Sequence, residues 1–272
     1  MMSTVARRLA ILAVAVMVWP GLSTQGSAQQ TDAKRQRIKP AKPGLPRDLV
    51  YLRDIDSTIR EDIRYATANN FTGAPLPGYY RGACILRRAA ALALKRVQAD
   101  LMARTPPLSL KVFDCYRPVR AVQAMVRWSK RKTNRDLKQF YFPNIPKRSL
   151  FSSGYISARS THSTGSTVDL SIVNVSREAI LEASGSDEAR KSCVNGGRDK
   201  NDPSAMDMGT AYDCFDVKSH TWSRGLNATQ VFNRKTLVNA MSRHGFSNYK
   251  REWWHFTHRP SRSKRMFNVP VH

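Results

Sequence analysis

A histidine and an aspartate seven positions apart, His162 and Asp169, flank a glycine in the run Ser160-Thr161-His162-Ser163-Thr164-Gly165-Ser166-Thr167-Val168-Asp169. A second histidine closes Glu252-Trp253-Trp254-His255 near the end of the chain. Neutral imidazole and carboxylate suit zinc, and a catalytic zinc typically keeps three protein ligands and one open position for water. His162, Asp169 and His255 supply that number, for one Zn2+ per chain. Glu252 precedes His255 by three residues, near enough to take a proton from a water that the metal has acidified. Positions three apart in a regular strand face opposite sides, so one shared site requires a bulge, turn or helix between them. Arg117, in Phe113-Asp114-Cys115-Tyr116-Arg117-Pro118, can offer a fixed guanidinium to a developing oxyanion or to a substrate carboxylate, with Asp114 orienting it. Taken singly the signals are weak, because an H-x6-D spacing is far less specific than an HExxH helix. Each residue also has a plain structural reading: a hydrogen-bonding histidine, an arginine stapling a helix start, a tryptophan pair in the core.

The elements that must position these residues read as follows. Ile59 to Tyr65 alternates as a strand, and Asn69 to Tyr80, with two glycines and two prolines, reads as a loop. Apolar residues at helical spacing mark a helix from Ile85 to Leu101, and Leu108 to Phe113 reads as a buried strand. Pro118 opens a second helix carrying Val119, Val122, Met125 and Val126. Val168 to Val173 alternates as a strand, and Val231 to His244 reads as a helix closed by Gly245. Strands and helices without a strict βαβ rhythm predict an α+β fold: a single domain with a largely antiparallel sheet flanked by helices and the zinc site on the sheet. A segment rich in Ser, Gly, Asp and Arg between Asn174 and Asp207 reads as a surface insertion.

The chain has 272 residues, of which 41% are hydrophobic, enough for a packed core rather than disorder. Arg7 and Arg8, the apolar run Leu9 to Val18 and the small residues Gly26-Ser27-Ala28 read as a signal peptide over 1–28. Residues 29–46, polar and proline-containing, read as a flexible linker, and 47–272 as the folded domain. Export, with a periplasmic destination favoured, makes disulfides the expected state of the four cysteines. Three pairings are possible. Cys84 with Cys115 and Cys193 with Cys214 are preferred, because Cys84 should open a helix packed on the strand ending near Cys115, while Cys193 and Cys214 bracket one loop-rich segment. Without the signal, 43 basic side chains face 20 acidic ones, a net charge of +23. Such a field favours nonspecific contact with anionic wall polymers or lipid head groups, and no nucleic-acid-binding motif accompanies it. Oligomeric state leaves no mark in the sequence.

Over roughly Asp62 to Val271 the chain resembles the VanX-type D-alanyl-D-alanine dipeptidases. The resemblance rests on Tyr65-Ala66-Thr67, Asn70-Phe71-Thr72-Gly73, Asp114 with Tyr116-Arg117-Pro118, Ser160 with His162-Ser163, Gly165-Ser166, Asp169-Leu170, Met208-Gly209, Asp213 and Asp216, Ser219-His220 and Glu252-Trp253-Trp254-His255. It implies that His162, Asp169 and His255 hold zinc, that Glu252 is the catalytic base and that Arg117 stabilises the transition state. It further implies that Tyr79 and Asp213 hold the free amino group of a dipeptide and that Ser160 lies among the substrate contacts. The implied substrate is D-Ala-D-Ala or a related wall peptide. The alternatives are a D,D- or L,D-carboxypeptidase acting on longer stem peptides and a non-catalytic zinc-containing wall-binding protein. The chain departs from the resistance enzymes at Thr161, Thr164 and Cys115, where those have Ser, Arg and Gly, and in a longer segment between Asp169 and Asp213. The last departure leaves the exact substrate open.

Overall fold

The computed structural model describes residues 44–132, 134–176, 192–194 and 202–272. The expected signal peptide, all but the last three residues of the expected linker, and most of the expected insertion lie outside the described residues. Two strands carry most of the architecture: β4 (Leu108–Asp114) and β5 (Thr167–Asn174). Every residue of β4, and all but the last of β5, is buried, as befits neighbours at the centre of a sheet covered on both faces. They belong to a five-stranded sheet of order β2-β4-β5-β7-β6, completed by β2 (Arg60–Glu61), β6 (Phe246–Asn248) and β7 (His255–His258). Only the β2–β4 pairing is parallel. The antiparallel α+β expectation therefore holds.

A second, two-stranded sheet pairs β1 (Leu49–Tyr51) with β3 (Ile85–Arg87). Residues 85–87 were expected in the first helix. They pair with β1 instead, and helix α1 runs from Arg88 to Met102, so Cys84 precedes a strand rather than opening a helix. Local apolar spacing is the same in both readings; the tertiary partner decides. The expected strand at 59–65 likewise shrinks to β2, followed by a 3-10 turn at Arg64–Ala66.

Helix α1 buries Ala90, Ala93, Leu94, Val97 and Leu101 against the sheet. Its buried Gln98 is fully used, accepting from Leu110 N at 2.8 Å and donating to Ser109 Oγ at 2.9 Å. Helix α2 (Val119–Ser129) starts after Pro118, as expected. Helix α3 (Arg135–Tyr141) was not anticipated; Asn134 caps it by accepting from Leu137 N. Helix α4 (Ala228–Arg243) begins with a reciprocal capping box between Asn227 and Gln230. It ends before Gly245, whose φ of +84° makes the left-handed exit that a glycine adopts at little cost.

Both expected disulfides, Cys84–Cys115 and Cys193–Cys214, are formed. The first ties the residue before β3 to the residue after β4, directly beneath the site described next. Among the described residues, no helix is long and apolar enough to cross a membrane.

Candidate metal centre and its cavity

The site is built at the ends of β4 and β5 and the start of β7. Cross-strand register places Asp114, Asp169 and His255 side by side, since Asp169 pairs with Asp114 on one flank and with His255 on the other. That alignment depends on a β-bulge. Val112 pairs with Leu170 but Asp114 pairs with Asp169, so Phe113 is the extra residue. The bulge re-aims Asp114 onto the face that carries Asp169.

His162 comes from a 3-10 turn, Thr161–Thr164, that the Ser160 side chain caps and Gly165 ends. Gly165 is required there: its φ is +73°, and a Cβ would lie 2.7 Å from Leu49 Cδ2. The His162 ring is oriented from behind, with Nδ1 2.7 Å from the carbonyl oxygen of Cys115. A ring N–H donating to that carbonyl leaves Nε2 with its lone pair pointing into the site, the tautomer a metal ligand needs.

Three electron-pair donors converge. Asp169 Oδ1 lies 3.2 Å from His162 Nε2 and 3.1 Å from His255 Nδ1, and the two ring nitrogens are 3.3 Å apart. Asp169 Oδ1 is buried without a hydrogen-bond donor, and an orphaned carboxylate oxygen facing two imidazoles calls for a cation. Tetrahedral bonds of about 2.0–2.1 Å place neighbouring ligand atoms roughly 3.3 Å apart, so the residues fit a small divalent ion.

Glu252 Oε2 lies 3.5 Å from His255 Nδ1. A turn between them resolves the three-residue spacing: Glu252 N donates to Tyr249 O and His255 N to Glu252 O, before β7 begins. Asn248 holds this turn, its amide donating to the carbonyls of Glu252 and His255 at 3.0 and 3.1 Å. Burial first, and then the charges of Asp169 and Asp213, push the Glu252 carboxyl well above its ordinary value. Arg117 donates to Asp114 Oδ2 from Nε at 3.0 Å and from Nη2 at 2.9 Å, lies 3.6 Å from Asp169 Oδ2 and covers the Tyr65 ring.

Ser160, Asp213, Arg117 and Glu252 line one cavity of about 340 Å³ with the three candidate ligands. Asp213 has a φ of +57° and accepts a hydrogen bond from the Tyr65 hydroxyl at 2.9 Å. Tyr79 does not reach the cavity. Its loop is pinned by a bridge to Val271, and its hydroxyl donates to Asp114 Oδ1 at 2.6 Å, behind Arg117. Tyr65 stands at the place expected of Tyr79. It lies within one of the motifs that carried the resemblance, but as the last residue of an expected strand it carried no sign of facing a cavity. Tyr212, whose hydroxyl donates to Asp169 Oδ2 at 3.1 Å, and the Cys115 carbonyl were also missed; backbone acceptors have no sequence signature.

The sequence that builds this site has relatives among known proteins. A family model described as Peptidase M15, D-ala-D-ala dipeptidase, matches residues 46–188 and 174–271. The chain belongs to this peptidase family. It is 31% identical to a D-alanyl-D-alanine dipeptidase of Enterococcus faecalis, covering 76% of this chain and 89% of the relative. It is 33% identical to one of Streptomyces coelicolor, covering 77% and 91%. A dipeptidase of the same name from Escherichia coli is 25% identical, covering 77% and 83%. In this M15 peptidase, as in any buried site, a charge without a partner is costly. Burial, followed by repulsion from Asp169, pushes the Asp213 carboxyl up to about 8. Below that pH the group holds a proton and cannot form a full ion pair, so pairing with a cationic ligand must release the proton. We therefore expect KM for a ligand with a free ammonium group to fall as pH rises from 6 to 8. Asp213→Asn should raise KM and flatten this dependence. An unaltered KM profile in the variant would remove Asp213 from ligand binding.

Proposed function

We propose that this protein hydrolyses D-alanyl-D-alanine, or a closely related short D-amino-acid peptide, to free amino acids in cell-wall peptide turnover. The observation that carries the reading is the buried Asp213 carboxylate, which lines the same small cavity as His162, Asp169 and His255. A carboxylate held there suits a substrate whose free ammonium lies one residue from the scissile bond. In our reading His162, Asp169 and His255 hold one zinc ion, which when bound supplies Lewis-acid polarisation of the scissile carbonyl and acidifies a water molecule.

The remaining steps belong to side chains. Asp213 accepts the substrate ammonium, with Tyr65 fixing the carboxylate's orientation. Glu252 takes the proton of the attacking water and returns it to the leaving amine. A carboxyl with raised pKa suits both directions of that transfer. Arg117, held by Asp114, directs its guanidinium at the oxygen on which negative charge develops. Ser160 stands at the cavity wall as a contact for the substrate. Two disulfides support an oxidising compartment outside the cytoplasm, in keeping with the expected export signal.

The test compares D-alanine release from three peptides by the zinc-loaded protein: D-Ala-D-Ala, its N-acetyl derivative and a pentapeptide ending in D-Ala-D-Ala. We expect the free dipeptide to be favoured in kcat/KM by about a hundredfold or more, because in either of the other two peptides an uncharged amide replaces the ammonium that would pair with Asp213. Preference for the pentapeptide would replace this reading with a carboxypeptidase. No release from any of the three would leave a wall-binding protein without peptidase activity.

A further inference from the structure

A second groove, of about 720 Å³, lies between the start of α1 and the segment from Pro260 to Ser263. Its charge is one-sided. Arg47, Arg87, Arg88 and Arg262 line it against a single acid, Asp48. Asp48 is already committed to an ion pair with Arg87, which also donates to Thr164 O at 2.8 Å. Arg47, Arg88 and Arg262 make no side-chain ion pair among the described residues. Arg47 and Arg262 are exposed, and Arg87 and Arg88 are half-buried. A guanidinium carries donors alone, so what such groups lack is an acceptor, and clustered guanidinium charges repel one another until an anion joins them. The first turn of α1 contains no acidic residue and no side chain caps it, so its positive end adds to the same field. Planar guanidinium forks match the oxygens of phosphate, and the hydroxyl-bearing Ser263 lines the same groove.

We propose that this groove is a binding site for a phosphate-type oxyanion, taken either free or as an ester. Leu92 and Pro260 add an apolar wall against which the organic part of an ester can lie. Arg262 lines both this groove and the catalytic cavity, so the occupant sits beside the cavity without entering the metal centre. The inference is independent of which peptide the enzyme cleaves.

The experiment is calorimetric titration of the zinc-loaded protein at low ionic strength with inorganic phosphate and, separately, with glycerol 3-phosphate. We expect one saturable site, weakened at least tenfold in Arg88→Gln and in the exposed Arg47→Gln, and unchanged in Arg224→Gln, an exposed arginine on a different loop. Tighter binding of either ligand supports the site and identifies its source as free phosphate or ester. Absence of saturable binding would overturn the proposal. So would binding that survives both groove variants but disappears in His255→Ala, which puts the anion on the metal, or binding that weakens equally in Arg224→Gln, which makes it diffuse charge.

Discussion

Replacing Glu252 by glutamine is expected to lower kcat for the dipeptide by about 10²–10⁴-fold, the range over which a positioned general base contributes, with the zinc content of the protein unchanged. The substitution preserves shape and volume in a buried position and keeps the Tyr249–Glu252–His255 backbone turn, whose hydrogen bonds are made by the main chain. What it removes is a proton acceptor beside His255 Nδ1. An amide cannot take a proton from water at neutral pH, so the loss should fall on kcat rather than KM. Steady-state kinetics alongside metal analysis decide the matter. Turnover within tenfold of the parent would displace Glu252 from the role of base. Zinc lost in parallel with activity would instead make it part of the metal's support.

Arg117→Met should lower kcat by about 10²–10³-fold, as expected when a donor aimed at developing negative charge is removed. It should also destabilise the fold. Asp114 is fully buried and Asp169 nearly so, and Arg117 contacts both; stripping the partner from buried charges costs about 3–5 kcal/mol. Thermal melting therefore accompanies the kinetics, and Arg117→Lys separates the effects, because it keeps a positive charge but not the two-pronged geometry. We expect the lysine variant to recover much of the stability and little of the turnover. A defect confined to KM would mean that Arg117 holds a substrate carboxylate in the ground state instead of stabilising the transition state.

The site was more legible in the sequence than the frame that holds it. His162, Asp169, Glu252 and His255 sit in short motifs whose residue types have few other uses together. The antiparallel sheet followed from the lack of a strict βαβ rhythm, and its two central strands from the apolar run at 108–113 and the alternation at 168–173. The bulge at Phe113 could not be read, because it exists only as a mismatch of register between two strands far apart in sequence. Ile85-Leu86-Arg87 looked helical because an apolar run fits either period, and the pairing with Leu49–Tyr51 overrides local preference. Tyr79 and Tyr65 illustrate the same limit. Both are buried tyrosines whose hydroxyls donate to carboxylates, and only the fold decides which of the two carboxylates lines the cavity.

On the proposed reading, in which Asp213 accepts the substrate ammonium, the left-handed backbone at Asp213 constrains how substrate preference can drift. Aspartate and asparagine tolerate a φ of +57°, whereas longer or branched side chains meet a cost of about 1–3 kcal/mol before any new contact forms. A single exchange to asparagine can neutralise the pocket without disturbing its shape, but an apolar residue able to welcome a blocked amine must first bend a chain that resists it. On that reading, selection for longer substrates meets an obstacle in the main chain itself.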